Sequence, residues 1–348
     1  YDSYLNVRGK ESLISNRILE LEDTANELEN NIWINSIYPN EFQSILPLPF
    51  FHVGSEVYWV SATKEVLRNT LIISWKTGLP ISATMLSRTS IPKTMKLLEY
   101  YFEPIRQKTI LEDLPNNKDF LLIYHLNEHL NKTEKLYKKY AIPISQNKKY
   151  EAYRLPVDSI RQMSIDYQND LMNEFRQLKI PLKTPFVSDS TKAFNYLIKG
   201  TEFPNLQLEG GFSFIAKRNN IIYEDILFES TDSIVISFWM SDMDKDIMPR
   251  TELKAKIKNK EGLWVEQFSS TIFKIVKHVN LNGWGLVEFL YKPELPGEQI
   301  RIELKNSLTT SHEVLVNNIL VRPKTQNVYF RTNRTYYKNN RFFTTNDR

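Results

Sequence analysis

The spacing of apolar positions along this chain changes near residue 208, from mixed helical and extended patterns to short strands of alternating character that end at Arg322-Pro323. Before that point, Leu13, Ile14, Ile18, Leu19, Leu21 and Leu28 recur at helical spacing among acids, which predicts a helix over Glu11–Ile34. Ser44 to Phe51 is an apolar run carrying Pro47 and Pro49, so it predicts a strand whose edge or end holds the prolines. Ser61 to Glu65 offers a helix start, and Leu71 to Trp75 a short buried segment before the Gly78-Leu79-Pro80 break. Ser90-Ile91-Pro92 reads as a cap and first turn, with Met95, Leu97, Leu98, Tyr101 and Phe102 on one stripe. Asp119–Tyr124 predicts a buried strand, Leu130–Tyr140 a lysine-rich helix and Tyr150–Leu155 another strand. Strands alternating with helices predict an α/β domain over residues 1–156 with some parallel pairing.

Residues 157–207 read as a connector: a helix through Met163, Tyr167, Leu171 and Phe175, then a stretch broken by Pro181, Pro185 and Pro204. Over 208–325 the strand spacing is that of an all-β sandwich. Gln299–Lys305 and Glu252–Ile257 are apolar at every second residue and predict a sheet with one wet face. Ile234–Met240 and Val314–Val321 are apolar on both faces and predict central strands. Residues 326–348, rich in Asn, Arg, Thr and Tyr without a period, read as an extended tail.

Composition sharpens this picture in three places. The 45 basic and 41 acidic side chains nearly cancel, and no stripe of Lys and Arg marks a nucleic-acid face outside the tail, so nucleic acid is not an expected partner. The lack of cysteine removes disulfides, thiolate metal sites and a Cys nucleophile. No stretch supplies the ~18 uninterrupted apolar residues of a membrane helix; Leu71–Leu86 is broken by Lys76, Gly78 and Pro80. A start at Tyr1 without a signal pattern reads as a start inside a longer product.

Candidate chemistry is sparse. His125-Leu126-Asn127-Glu128-His129 matches an H-x-x-E-H zinc pattern, which requires both imidazoles on one helical face. His125 instead continues a strand, so His125 and His129 are expected as loop residues at the carboxyl edge of a sheet. Asp242 and Asp244 begin like a calcium loop, but Ile247 and Leu253 stand where such a loop needs Gly and Glu. His52, Ser55 and Glu56 follow a strand, and Arg88 lies just ahead of a helix start; together they outline a polar pocket, with turn and cap residues as the plainer reading. Trp239 and Trp284 sit in apolar strands and belong to a core, whereas Trp264 follows the Glu261-Gly262 turn and is the tryptophan expected to meet a ligand. No G-x-S-x-G elbow or glycine-rich phosphate loop occurs, and no cofactor is expected.

Two resemblances follow from particular residues. Trp284–Phe289, Ile300–Asn306 and Val314–Val321 resemble the jelly-roll modules related to carbohydrate-binding and galactose-binding domains, with Asn317-Asn318 where those modules often carry a calcium-holding Asp. Ile45–Glu56 and Met85–Ser90 resemble the soluble extracytoplasmic portion of large bacterial multi-pass membrane proteins of the glycosyltransferase C type. These resemblances imply a non-catalytic accessory region of an envelope membrane protein, extracytoplasmic and attached to a membrane-embedded remainder, contacting glycan or a partner. The alternatives are a glycan-active hydrolase, which needs two facing carboxylates roughly 5–10 Å apart, and a zinc metallopeptidase.

Overall fold

A computed structural model of the 348-residue chain describes residues 37–53, 58, 60–85, 89–188, 195–197, 214–216, 219–226, 233–241, 251–279, 283–295, 297–305 and 314–345. The helix expected over Glu11–Ile34 lies outside them, as do Ser55, Glu56, Arg88, Asp242 and Asp244. The chain divides into two compact units. One gathers described residues 37–53, 60–85 and 109–163, and the other 58, 89–108 and the described part of 164–345.

The first unit holds β1 (Phe42–Leu48), β2 (His52–Val53), α1 (Lys64–Thr77) and β3 (Thr84–Met85). After α2 (Ile91–Leu98), which belongs to the second unit, come β4 (Asp119–His125), α3 (Lys132–Tyr140), β5 (Ile142–Gln146) and β6 (Tyr150–Leu155). The sheet order is β1-β4-β6-β5, with β1 and β4 parallel and the β4-β6 and β5-β6 pairs antiparallel. Pro47 lies inside β1 and is tolerated because β1 has only a single bridge, Ile45 to Ile81, on its other side. A run of large apolar side chains on β1 and β4 meets Ile72 and Ile73 of α1 in one core. The segment Leu71–Trp75 is part of a full helix, not a short buried piece: Thr63 caps α1 by accepting from Val66 N, and Gly78 stops it at φ +69°. Leu71 and Trp75 fall on its outward side. Asn131 and Glu134 form a reciprocal capping box on α3, and Glu134 Oε1 also accepts from Phe50 N at 2.7 Å. That second bond fixes the turn after β1.

From α4 (Val157–Leu178) onward the chain is almost entirely strand. The elements are β7 (Phe186–Val187), β8 (Asn195–Leu197), β9 (Phe214–Ala216), β10 (Asn219–Ile226), β11 (Ile234–Met240), β12 (Glu252–Lys258), β13 (Trp264–Thr271), the short α5 (Ile272–Ile275) and β14 (Val276–Val279). They continue through β15 (Gly285–Tyr291), β16 (Gln299–Lys305), β17 (Val314–Pro323), β18 (Val328–Arg331), β19 (Thr335–Lys338) and β20 (Arg341–Thr344). Two antiparallel sheets, β10-β16-β12-β13 and β14-β15-β11-β17 with β8 and β9 on the far side of β17, make a β-sandwich. Alternation decides which side is wet: Leu253, Ala255, Ile300, Ile302 and Leu304 are buried while their neighbours in sequence face outward. β11 and β17 are buried and central, as apolar residues on both of their faces predict.

The expected tail is a correction. Residues 328–344 form a meander that pairs with β7 in a third sheet, β20-β19-β18-β7. Asn339 and Asn340 both have positive φ, the conformation a two-residue hairpin needs. Tyr337 and Phe342 then pack on Trp239, Trp284 and Leu286, and Trp239 Nε1 donates to Asn340 O at 2.8 Å. Asn340 Nδ2 donates to Ser237 and to Asn318 O, so the turn plugs into β11 and β17. The connector also differs from expectation, since Leu171 and Phe175 of α4 share a core cluster with Tyr329 and Phe343.

Candidate functional site

The wet face of the β10-β16-β12-β13 sheet is a ladder of paired charges. Register places Lys254 opposite Glu303 and Ser269, and Lys256 opposite Arg301 and Glu266. Two pairs run diagonally, Lys254 Nζ 2.7 Å from Glu266 and Lys256 Nζ 2.6 Å from Glu303, and one runs straight across, Arg301 Nε 2.8 Å from Glu224. Surface pairs of this kind add only about 0–1 kcal/mol each, so the ladder sets the orientation of planar polar groups more than it stabilises the sheet. At one end of it Trp264 is half-buried, with the Arg301 guanidinium carbon 4.0 Å from the ring centroid. Exposed Leu263 and Val265 flank it in sequence. An indole held in place by a guanidinium, beside carboxylates and ammonium groups, can stack on one face of a sugar ring and hydrogen-bond its hydroxyls.

A second polar cluster lies elsewhere in the same unit and has no motif in the sequence. Arg341 is mostly covered and binds Glu103 through Nε and Nη2 and Glu288 through Nη1 at 3.0 Å. Burial opposes its charge, but the two carboxylates outweigh burial and hold the Arg341 pKa well above the ordinary value. Nearby, Lys108 donates to the carbonyls of Glu99 and Phe102, and burial lowers its pKa to about 8 against the pull of Glu99. His278 is packed edge-on between Phe102 and Trp239, and burial together with Arg106, Lys108 and Arg341 lowers its pKa to about 3. Glu103 and Glu288 are the carboxylates brought together here, and one guanidinium engages both. That is the arrangement of a structural ion pair, not of an acid and base working on a glycosidic bond.

The remaining sequence candidates do not converge. His52 is fully buried in β2, and burial lowers its pKa to about 4. His125 is the last residue of β4, its ring edge-on to Tyr150 at 4.9 Å, and burial lowers its pKa to about 4. Glu128 accepts from Thr63 Oγ1 at 2.7 Å in the loop beyond. The zinc pattern therefore fails on geometry: His125 is on a strand and Glu128 is engaged at the start of α1. Among the described residues no three His, Cys, Asp or Glu groups are placed to hold a metal ion. Asn317 and Asn318 are buried in β17, and Asn318 spends its carbonyl on Asn340.

No protein-family model matches the chain, and no curated protein does. Among solved structures it is similar to the CBM22-1 xylan-binding domain of Xyn10C from Paenibacillus barcinonensis, at 10% identity over 40% of this chain and 85% of that one, with a TM-score of 0.25. The C-terminal CBM6 of LamC from Zobellia galactanivorans shares 12% identity over 40% of this chain and 97% of that one, with a TM-score of 0.21. A xylan-binding module CBM15 shares 9% over 41% and 97%, with a TM-score of 0.23. Likenesses of this size assign no ligand.

Proposed function

We propose that this chain is a non-catalytic binding region whose β-sandwich takes up glycan on the wet face of the β10-β16-β12-β13 sheet, with Trp264 as the stacking platform. The observation that carries this reading is the Trp264 ring set by Arg301 at 4.0 Å, at the end of a ladder of hydrogen-bonding side chains. A ladder that runs across all four strands suits an extended polysaccharide better than a single small sugar. In the same reading the first unit is an α/β domain, the sandwich is a jelly roll, and the chain is the extracytoplasmic part of an envelope membrane protein whose remainder is membrane-embedded. The cellular setting rests on the sequence resemblance; no helix among the described residues is long and apolar enough to cross a membrane.

The test is binding of the 348-residue chain to a glycan array that includes plant and bacterial polysaccharides, with Trp264→Ala alongside. Loss of one stacked ring removes roughly 1–3 kcal/mol by analogy with other aromatic stacking, so retention should fall about 5- to 150-fold. Retention on no glycan, or equal retention by Trp264→Ala, removes this function. The envelope setting is checked at the gene: the continuous reading frame should encode several hydrophobic helices.

A further inference from the structure

The Lys108 and His278 cluster surrounds a small open notch of about 30 Å³, lined by Glu99, Phe102, Glu103, Arg106, Lys108 and His278 among others. One water takes roughly 10–15 Å³ on this measure, so the notch has room for two oxygen-sized atoms and not for a sugar ring. His278 is more than nine-tenths buried, and its Nδ1 is buried without a hydrogen-bond partner. A buried polar nitrogen left without a partner costs roughly 1–3 kcal/mol, which is recovered only if something small and polar occupies the space beside it.

The charge around the notch indicates what that something is. Glu103 is engaged by Arg341 through two contacts, which leaves its carboxylate already matched. Glu99 acts on Lys108. The groups that bear on the imidazole are cations: Arg106, Lys108 and Arg341. The imidazole is therefore neutral at physiological pH, and a neutral imidazole still offers one N–H. We propose that this notch binds a monovalent anion no larger than a carboxylate group, accepting from His278 and facing Arg106 and Lys108. Its source is either a free ion or the carboxylate of an acidic sugar, and the site is separate from the Trp264 face, so either can fail without the other.

Thermal unfolding of the whole chain separates the cases, at constant pH and ionic strength with sodium methanesulfonate as the reference salt. Sodium acetate and sodium glucuronate are each expected to raise Tm saturably by roughly 2–6 °C, while glucose does not. A rise with chloride alone keeps the anion site and makes a free ion its occupant. Identical Tm in every salt, or a response that follows the cation when choline replaces sodium, overturns the site. His278→Phe keeps the packing against Phe102 and Trp239 and should abolish the increment; an increment that survives it also overturns the site. Should that variant fail to fold, Arg106→Gln takes its place under the same criterion. A bromide-soaked crystal gives a variant-free check through an anomalous peak beside His278.

Discussion

Arg341 shows how a single side chain can organise a polar interior. It joins Glu103, which follows α2, to Glu288 in β15, and its side chain is only 12% exposed. Removing it strands two carboxylates, and breaking a buried pair costs roughly 3–5 kcal/mol; Arg341→Ala should lower the urea midpoint of the second unit accordingly, and Glu288→Gln should cost less because Glu103 keeps its partner. The three buried histidines set the acid limit. The pKa of His52 and of His125 falls to about 4 and that of His278 to about 3, each by burial, from an ordinary 6.5. Each group binds its proton more readily when unfolded, so its contribution to stability is intact above pH 6.5 and is lost as pH falls through the folded value. Melting should therefore move down between pH 6.5 and pH 4 by well over ~10 °C. A Tm that is flat over that window would mean the imidazoles are hydrated in the fold.

At the level of elements, caps and turns carry more than the strand pattern does. Asn131→Ala removes the acceptor of Glu134 N and so half of the capping box of α3, while the backbone N of residue 131 still donates to Glu134 Oε2, at a cost of about 1 kcal/mol. Gly78→Ala meets no atom within 4 Å but holds φ +69°, so its penalty of roughly 1 kcal/mol is conformational and should appear without any change in packing. β4, β6, β11, β12, β16 and β17 were legible in the sequence because each has one burial pattern repeated over six residues or more. β5 was not: its residues are exposed or half-buried, and a sheet edge of that kind has no apolar period to read. β19 and β20 were hidden for a different reason. Their signal was Lys338-Asn339-Asn340-Arg341 between aromatic pairs, and a two-Asn turn stands out only when positive φ is weighed before composition.

At the scale of the molecule, the sequence separates a mixed half from an all-strand half, and the described units follow that division only in part. Residues 89–108 lie well before the sandwich in sequence yet cluster with it, because Ile105 O and Arg106 O accept from Gln168 and Ser164 of α4 and Arg106 stacks on Phe342. No local pattern encodes a partnership at that separation. The site was legible to the same degree: Trp264 stood out by its turn, whereas Arg301 and the Arg341 cluster are assembled by register and by long-range pairing. A chain cut after Pro323 would keep both sandwich sheets but lose the cover over Trp239 and Trp284. It should bind a hydrophobic dye and be digested faster by protease than the full chain.

Trp239 finds its hydrogen-bond acceptor only at Asn340. During translation the ribosome must therefore emit the chain through Asn340 before that contact can close, and the sandwich waits with an aromatic surface open to its neighbours. Termination between the last sandwich strand and Asn340 would then yield a sticky, degradable fragment instead of a smaller working version.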